Sequence, residues 1–184
     1  MTADIRISLL GKLVNHEEAQ KLLKEKRNEY FFETIKPHFQ EAYLKDGWII
    51  EKEFKNSIKV KKPKSFDVAF EDEVWSLFAL MGYRFLNRDR KFNLPYDKSE
   101  ISLTKQIDVF AKDYETILII ECKSSETNTR GDFKKDLESY QGIMDGLRKS
   151  LQHLFPNEKL KFKFILATRN LSISDEDLER LKNI

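Results

Sequence analysis

The chain has 184 residues, and 33 lysines and arginines nearly balance 31 aspartates and glutamates, which leaves a formal net charge of +2. Hydrophobic residues make up 40% of the chain, enough to form the core of one domain of ordinary size. A single cysteine excludes an intramolecular disulfide and a cysteine-rich zinc site, no apolar run reaches the ~20 residues of a membrane span, and the first residues lack a signal-peptide pattern, so we expect a soluble, cytoplasmic protein.

The first third of the chain has a helical pattern. Apolar residues recur near helical spacing from His16 to Tyr43, Pro37 divides this stretch, and Gly47 ends it. The stretch "IKVKKPK" that follows is dense in lysine. Its lysines either protect the edge of a sheet from pairing with other chains or contact phosphates, and the pattern leaves both interpretations open. We expect residues 1–62 to form an N-terminal helical extension with a basic arm.

Residues 63–184 alternate between helical and strand patterns and are expected to form a second unit. Helices are predicted from Ser65 to Gly82, at 133–154 and near the end of the chain. Strands are predicted at 83–92, 105–111, 116–123 and 160–168, with a loop at 124–132. The chain stops within its last predicted helix, which favours a piece of a longer protein.

The segment "TILIIECK" carries the strongest functional signal, because four apolar residues lead directly to Glu121, Cys122 and Lys123. In a strand, Glu121 and Lys123 share one face and Cys122 lies on the other. If the preceding turn centres on residues 114 and 115, positions that sum to 229 are paired, and Asp108 then lies opposite Glu121. Opposed side chains have Cβ atoms only about 4.5–5.5 Å apart.

Two carboxylates at this separation repel each other unless one is protonated or a cation lies between them. Mg²⁺ prefers oxygen ligands and is often held by one or two carboxylates together with substrate phosphate. Lys123 would then stabilise a phosphate oxygen or orient an attacking water. The residues therefore favour metal-dependent phosphodiester hydrolysis. The alternative is a salt bridge among these three residues at a solvated sheet edge.

The "ID" of one strand followed by "ECK" at the end of the next resembles the PD-(D/E)XK nuclease superfamily. The helix "AFEDEVWSLFALMGY" is similar to the one that precedes the site in Mrr-like restriction endonucleases, and the likeness covers roughly residues 66–168. Ile107 stands where the superfamily name places a proline. The resemblance implies an α/β fold with a restriction-endonuclease-like αβββαβ core, in which helices flank a mixed central sheet.

The resemblance also implies roles for individual residues. Asp108, Glu121 and the backbone carbonyl of Cys122 would hold Mg²⁺, with Mn²⁺ as a substitute, and Lys123 would assist the attacking water. The helix glutamate of the family matches Glu71, with Glu73 as the alternative. Gln141 corresponds in position to an auxiliary site glutamine of related nucleases, although solvation of the helix surface explains it as well.

DNA is the implied substrate and partner, and the resemblance makes a homodimer a candidate assembly. The basic residues that could line a backbone groove are Arg84, Arg88, Arg90, Lys91, Lys105 and Arg130. The stretch "GWIIEKEFK" also resembles N-terminal regions of larger prokaryotic proteins linked to phage defence or DNA sulfur modification. Two alternatives stay open: an inactive nucleic-acid-binding module on the same fold, and an interaction domain that docks a partner through residues 16–45.

Overall fold

The computed structural model describes residues 3–97, 102–156 and 159–184. The helices are α1 (Ala3–Leu10), α2 (His16–Lys26), α3 (Gln40–Lys45), α4 (Phe66–Leu80), α5 (Lys134–Leu154) and α6 (Asp175–Leu181), with a short 3-10 helix at Pro37–Phe39. The strands are β1 (Leu13–Asn15), β2 (Tyr30–Ile35), β3 (Ile49–Glu53), β4 (Ile58–Pro63), β5 (Phe85–Asn87), β6 (Asn93–Pro95), β7 (Thr104–Gln106), β8 (Val109–Lys112), β9 (Thr116–Arg130) and β10 (Lys161–Ser172). No helix in the described ranges combines the length and hydrophobicity needed to cross a membrane.

A five-stranded mixed sheet organises the fold, in the order β1-β5-β8-β9-β10. Neighbours pair antiparallel except β9 and β10, which run parallel. One face packs against α5 through a core that includes Phe110, Ile119 and Tyr140. The other face packs against α4 and α2 through a core that includes Trp75 and Ile120. The protein is therefore a mixed α/β structure whose central sheet is flanked by helices.

The predicted pairing of the central hairpin is confirmed. Val109 lies opposite Ile120 and Lys112 opposite Ile117, so paired positions sum to 229. The turn is closed by the amide of Asp113, which donates to the carbonyl of Thr116 at 2.9 Å. This register places Asp108, the residue before β8, next to the end of the apolar run of β9.

Helix α4 forms where the sequence predicts it. Ser65 is its N-cap residue, and Gly82, with φ of +84°, follows its C-terminal end. Helix α5 covers the predicted 133–154 within one residue. In α6, the side chain of Ser174 accepts from the amide of Asp177. The end of α4 thus follows from a glycine and the start of α6 from a side-chain cap, whereas Ser65 and Phe133 make no side-chain cap hydrogen bond.

The helical prediction for residues 30–35 is wrong. These residues form β2, which pairs with β4 in a separate three-stranded sheet of order β2-β4-β3. The aromatic residues of "YFFETI" fit helical spacing, yet their β-propensity and the paired ladder prevail. Residues 1–62 are thus not a helical extension: β1 pairs with β5 in the main sheet, and α2 packs on α4.

The strand boundaries also differ from those predicted. The stretch 83–92 forms only the short β5, and β6 and β7 make a two-stranded sheet of their own. The predicted loop at 124–132 is wrong, because β9 continues to Arg130 beside β10, with a register shift between Arg169 and Leu171. Polar serine and threonine residues concealed this extension, which is stabilised by the parallel ladder.

Candidate active site

The candidate site lies where β9 leaves the buried part of the sheet. Glu121 is only 6% exposed, and its Oε1 accepts from Nζ of Lys123 at 3.0 Å. Its Oε2 accepts from the hydroxyl of Tyr140 on α5 at 2.7 Å. The two charged side chains therefore share the α5 face of the sheet, as strand alternation requires. Cys122 contributes to the core on the α4 face.

Asp108 joins this group through the backbone of β9. Its Oδ2 accepts from the amide of Cys122 at 2.9 Å. Burial, followed by the nearby charge of Glu121, raises the pKa of Asp108 to about 7. The site thus carries more negative charge than its single lysine compensates.

Lys123 lies between two acids. Its Nζ contacts Glu121 and, also at 3.0 Å, Oδ2 of Asp136 in the first turn of α5. Burial acts to lower the pKa of Lys123, but the hydrogen bonds to Asp136 and Glu121 outweigh it, so the pKa is raised. Lys123 is therefore a cation that donates hydrogen bonds and not a base.

The thiol of Cys122 is not suited to nucleophilic attack. Burial, together with the neighbouring charge of Asp108, raises the pKa of Cys122 well above its ordinary value. The thiolate, which is the reactive form, is thus suppressed.

Glu71 is placed better for the site than Glu73. Burial raises the pKa of Glu71, and its charge contributes to the raised pKa of Asp108. Its Oε2 accepts from Nε of Arg90 at 2.8 Å. Glu73, by contrast, is largely exposed and pairs with Arg169 on β10. Of the two glutamates, Glu71 is therefore the one whose charge affects the pKa of Asp108.

The side chain of Asn87 binds the backbone of Asp108, a role that no local sequence pattern indicates. The side chain of Asn87, 1% exposed, donates through Nδ2 to the carbonyl of Asp108 at 3.0 Å and accepts through Oδ1 from the amide of Phe110 at 2.9 Å. Its own carbonyl accepts from Nε1 of Trp75 on α4 at 2.8 Å. The side chain of Asn87 thus takes the place of backbone hydrogen bonds between β5 and β8 where β8 begins. The sequence analysis also missed Tyr140 and Asp136, because only tertiary packing brings α5 to β9.

The predicted basic residues do not form one groove. Arg84 stacks on Tyr114, with its guanidinium carbon 4.2 Å from the ring centroid, at the turn before β9. The start of β9 at Thr116 lies roughly 17 Å from Glu121 along the strand. Arg90 is held by Glu71 and by Asp72 at 2.8 Å each. These placements argue against both arginines as phosphate contacts.

The other predicted contacts lie in different surroundings. Lys105 lies over the ring of Tyr140 at 4.5 Å, beside the site. Arg88 pairs with Glu18, and Lys91 is exposed. Arg130 is exposed at the far end of β9. Gln141 does not face the site: its Nε2 donates to the carbonyl of Arg180 in α6 at 2.9 Å.

The donor atoms at the site are oxygens, which is the type of ligand that a hard divalent cation prefers. Asp108 and Glu121 supply carboxylate oxygens, and the backbone of Cys122 adds a carbonyl. The two oxygens of Glu121 already accept one hydrogen bond each, but a carboxylate has about four lone-pair sites. In the part of the chain that the structure describes, no group of three or more His, Cys, Asp or Glu side chains is arranged to hold a metal. A bound cation would therefore keep water or phosphate ligands.

Comparison of the chain with protein-family models, with curated proteins and with solved structures found no match.

Proposed function

We propose that the protein is a Mg²⁺-dependent nuclease of the PD-(D/E)XK type that hydrolyses phosphodiester bonds of DNA. Apart from β6 and β7, which form a separate sheet, the elements follow the order α4, β5, β8, β9, α5, β10, and this order supports the αβββαβ core that the resemblance implies. The observation that carries the proposal is the convergence of Asp108, Glu121 and Lys123 at the end of one buried strand.

The charges of the site support this chemistry. Asp108 and Glu121 form an electronegative site in which a divalent cation would be stabilised, and that cation would supply positive charge for the scissile phosphate. Lys123, protonated and held by Glu121, is in a position to donate a hydrogen bond to a phosphate oxygen or to the attacking water. Tyr140 and Asn87 hold the two acids in place.

Cleavage assays with linear duplex, circular duplex and single-stranded DNA test the proposal. Each substrate is incubated with Mg²⁺, Mn²⁺ or EDTA. We expect metal-dependent cutting that falls about 100-fold or more in Asp108→Asn and in Lys123→Ala. Lys134→Ala on the exposed surface of α5 is the matched lysine control and should cut normally.

A second candidate, an inactive nucleic-acid-binding module, is favoured by one observation. Lys123 is already satisfied by Glu121 and Asp136, as in a purely structural ion cluster. DNA binding without cutting under any metal condition supports this module and rejects the nuclease. Cutting that survives Asp108→Asn rejects the assigned site.

A further inference from the structure

The three-stranded sheet β2-β4-β3 has two unlike faces. One face forms a small apolar core of Ile35, Ile58 and Val60, against which Tyr43 and Trp48 pack from the region of α3. Alternation along the strands places a different set of side chains on the other face. We call this set the open face; its residues are Tyr30, Phe32, Thr34, Ile49, Lys52, Lys59 and Lys61, and Glu51 at the bulge of β3 also reaches it.

The open face combines one exposed and one half-buried aromatic ring with lysines. Phe32 is 37% exposed, and its ring centroid lies 6.5 Å from that of Tyr30. Nζ of Lys59 lies 4.5 Å from the centroid of Phe32, and Nζ of Lys61 lies 4.9 Å from that of Tyr30. Each ring therefore has a lysine over one of its faces, and the Phe32 side chain remains partly accessible.

The lysines of β4 do not protect a sheet edge. The structure places β4 in the centre of the sheet, between β2 and β3, so the interpretation as edge protection is wrong. Lys59 and Lys61 project from a strand that is already paired on both sides.

The charge of the open face favours a polyanion. Three lysines stand against one acid, Glu51, which pairs with Lys59 at 2.6 Å. Lysine is depleted in the cores of protein–protein interfaces, which argues against a protein partner. Aromatic rings beside lysines are instead the combination that binds unpaired bases and their phosphates.

We propose that the open face binds single-stranded nucleic acid. Phe32 and Tyr30 stack with bases, and Lys59, Lys61 and Lys52 contact the phosphates. A duplex keeps its bases stacked inside and offers this face only its backbone, so single strands bind more tightly. The proposal does not depend on the nuclease assignment, because it concerns binding and a different part of the molecule.

Fluorescence anisotropy of labelled oligonucleotides with the full chain in EDTA tests the proposal without cleavage. The probes are dT20, rU20 and a 20-base-pair duplex; comparison of the first two separates DNA from RNA. We expect a single strand to bind more tightly than the duplex. Phe32→Ala should raise its Kd roughly 5- to 100-fold, since stacking is lost. Lys61→Ala should also weaken binding and reduce the slope of log K against log salt by about 0.7.

Two variants serve as matched controls. Lys62→Ala removes the next lysine of the same strand, which faces Asp46 at 3.0 Å on the other side of the sheet. Phe39→Ala removes an exposed ring at the end of the 3-10 helix. Both should bind as the unaltered protein does, and circular dichroism checks that all four variants are folded. The proposal is overturned if neither single strand binds, if the duplex binds more tightly, or if Phe32→Ala and Lys61→Ala behave like their controls.

Discussion

Asp108 is the residue whose ionisation is most altered by the fold. Its pKa rises to about 7 because the side chain is largely buried and lies near the charge of Glu121. The folded protein therefore binds a proton at Asp108 at pH values where the unfolded chain, with a pKa of about 3.9, has released it. This difference makes the folded state less stable as the pH rises from about 4 to about 7.

Asp108→Asn should therefore stabilise the metal-free protein at pH 8 but not at pH 4. Asparagine retains an oxygen for the amide of Cys122 and carries no charge beside Glu121. We expect a gain on the order of 2 kcal/mol at pH 8. Urea unfolding in EDTA at both pH values measures it, and an effect of equal size at pH 4 and pH 8 contradicts the charge explanation.

At the scale of elements, the approach of α5 to the segment after β6 depends on one glycine. A Cβ atom on Gly146 would lie 1.8 Å from the backbone oxygen of Tyr96, a contact with main chain that a rotamer change cannot relieve. Gly142, one turn earlier on the same helix, is exposed and has no heavy atom within 4 Å of the same position. The two glycines thus differ in packing and share the same helical propensity.

Gly146→Ala should destabilise the protein by about 1–3 kcal/mol, because α5 or the segment at Tyr96 must shift. Gly142→Ala is the matched control and should stabilise it by about 0.5–1 kcal/mol, since alanine favours the helix. Thermal and urea unfolding of both variants measure the difference. Equal effects in the two variants would show that the close approach does not restrict this helix.

The sequence predicts those elements whose signals are local. The signals are the apolar run before Glu121, the turn at residues 112–115, Gly82 after α4 and the Ser174 cap of α6. Each lies within a few residues of the structure that it determines. The strand β2 was predicted as helix because its aromatic spacing satisfies both periods. The roles of Asn87 and Tyr140 could not be predicted, since each depends on a partner 19 or more residues away.

At the scale of the whole molecule, a buried ion cluster joins the three-stranded sheet to the main body. Asp72 of α4, 2% exposed, accepts a hydrogen bond from Lys64 after β4 at 2.7 Å. It also forms ion pairs with Lys26 of α2 at 2.9 Å and with Arg90 at 2.8 Å. Burial acts to raise the pKa of Asp72, but these cations outweigh burial and keep the pKa below its ordinary value. Nζ of Lys64 also donates to the carbonyls of Glu25 and Lys26, both at 3.0 Å.

Asp72→Asn should destabilise the protein by about 3 kcal/mol at pH 7, because it leaves buried cations without a counter-charge. A lowered carboxylate pKa contributes stability above the unfolded pKa of about 3.9 and loses it as the pH falls through the folded pKa. The difference from the unaltered protein should therefore shrink below pH 4. Urea unfolding at pH 7 and pH 3 measures both.

Glu41→Gln is the control for this experiment. Its ion pair with Lys45 is exposed, with 83% and 76% of the two side chains accessible, and should contribute nothing measurable. If Asp72→Asn is as stable as Glu41→Gln at pH 7, the cluster does not hold the sheet in place.

Arg90 belongs to two charge systems at once. Its guanidinium binds Glu71, whose field reaches Asp108, and also Asp72, which anchors Lys64. Displacing Arg90 would therefore remove positive charge from Glu71 and Asp72 at the same time. The position of the small sheet, which Lys64 anchors to Asp72, and the proton affinity of Asp108, which Glu71 raises, are consequently linked through the side chain of Arg90.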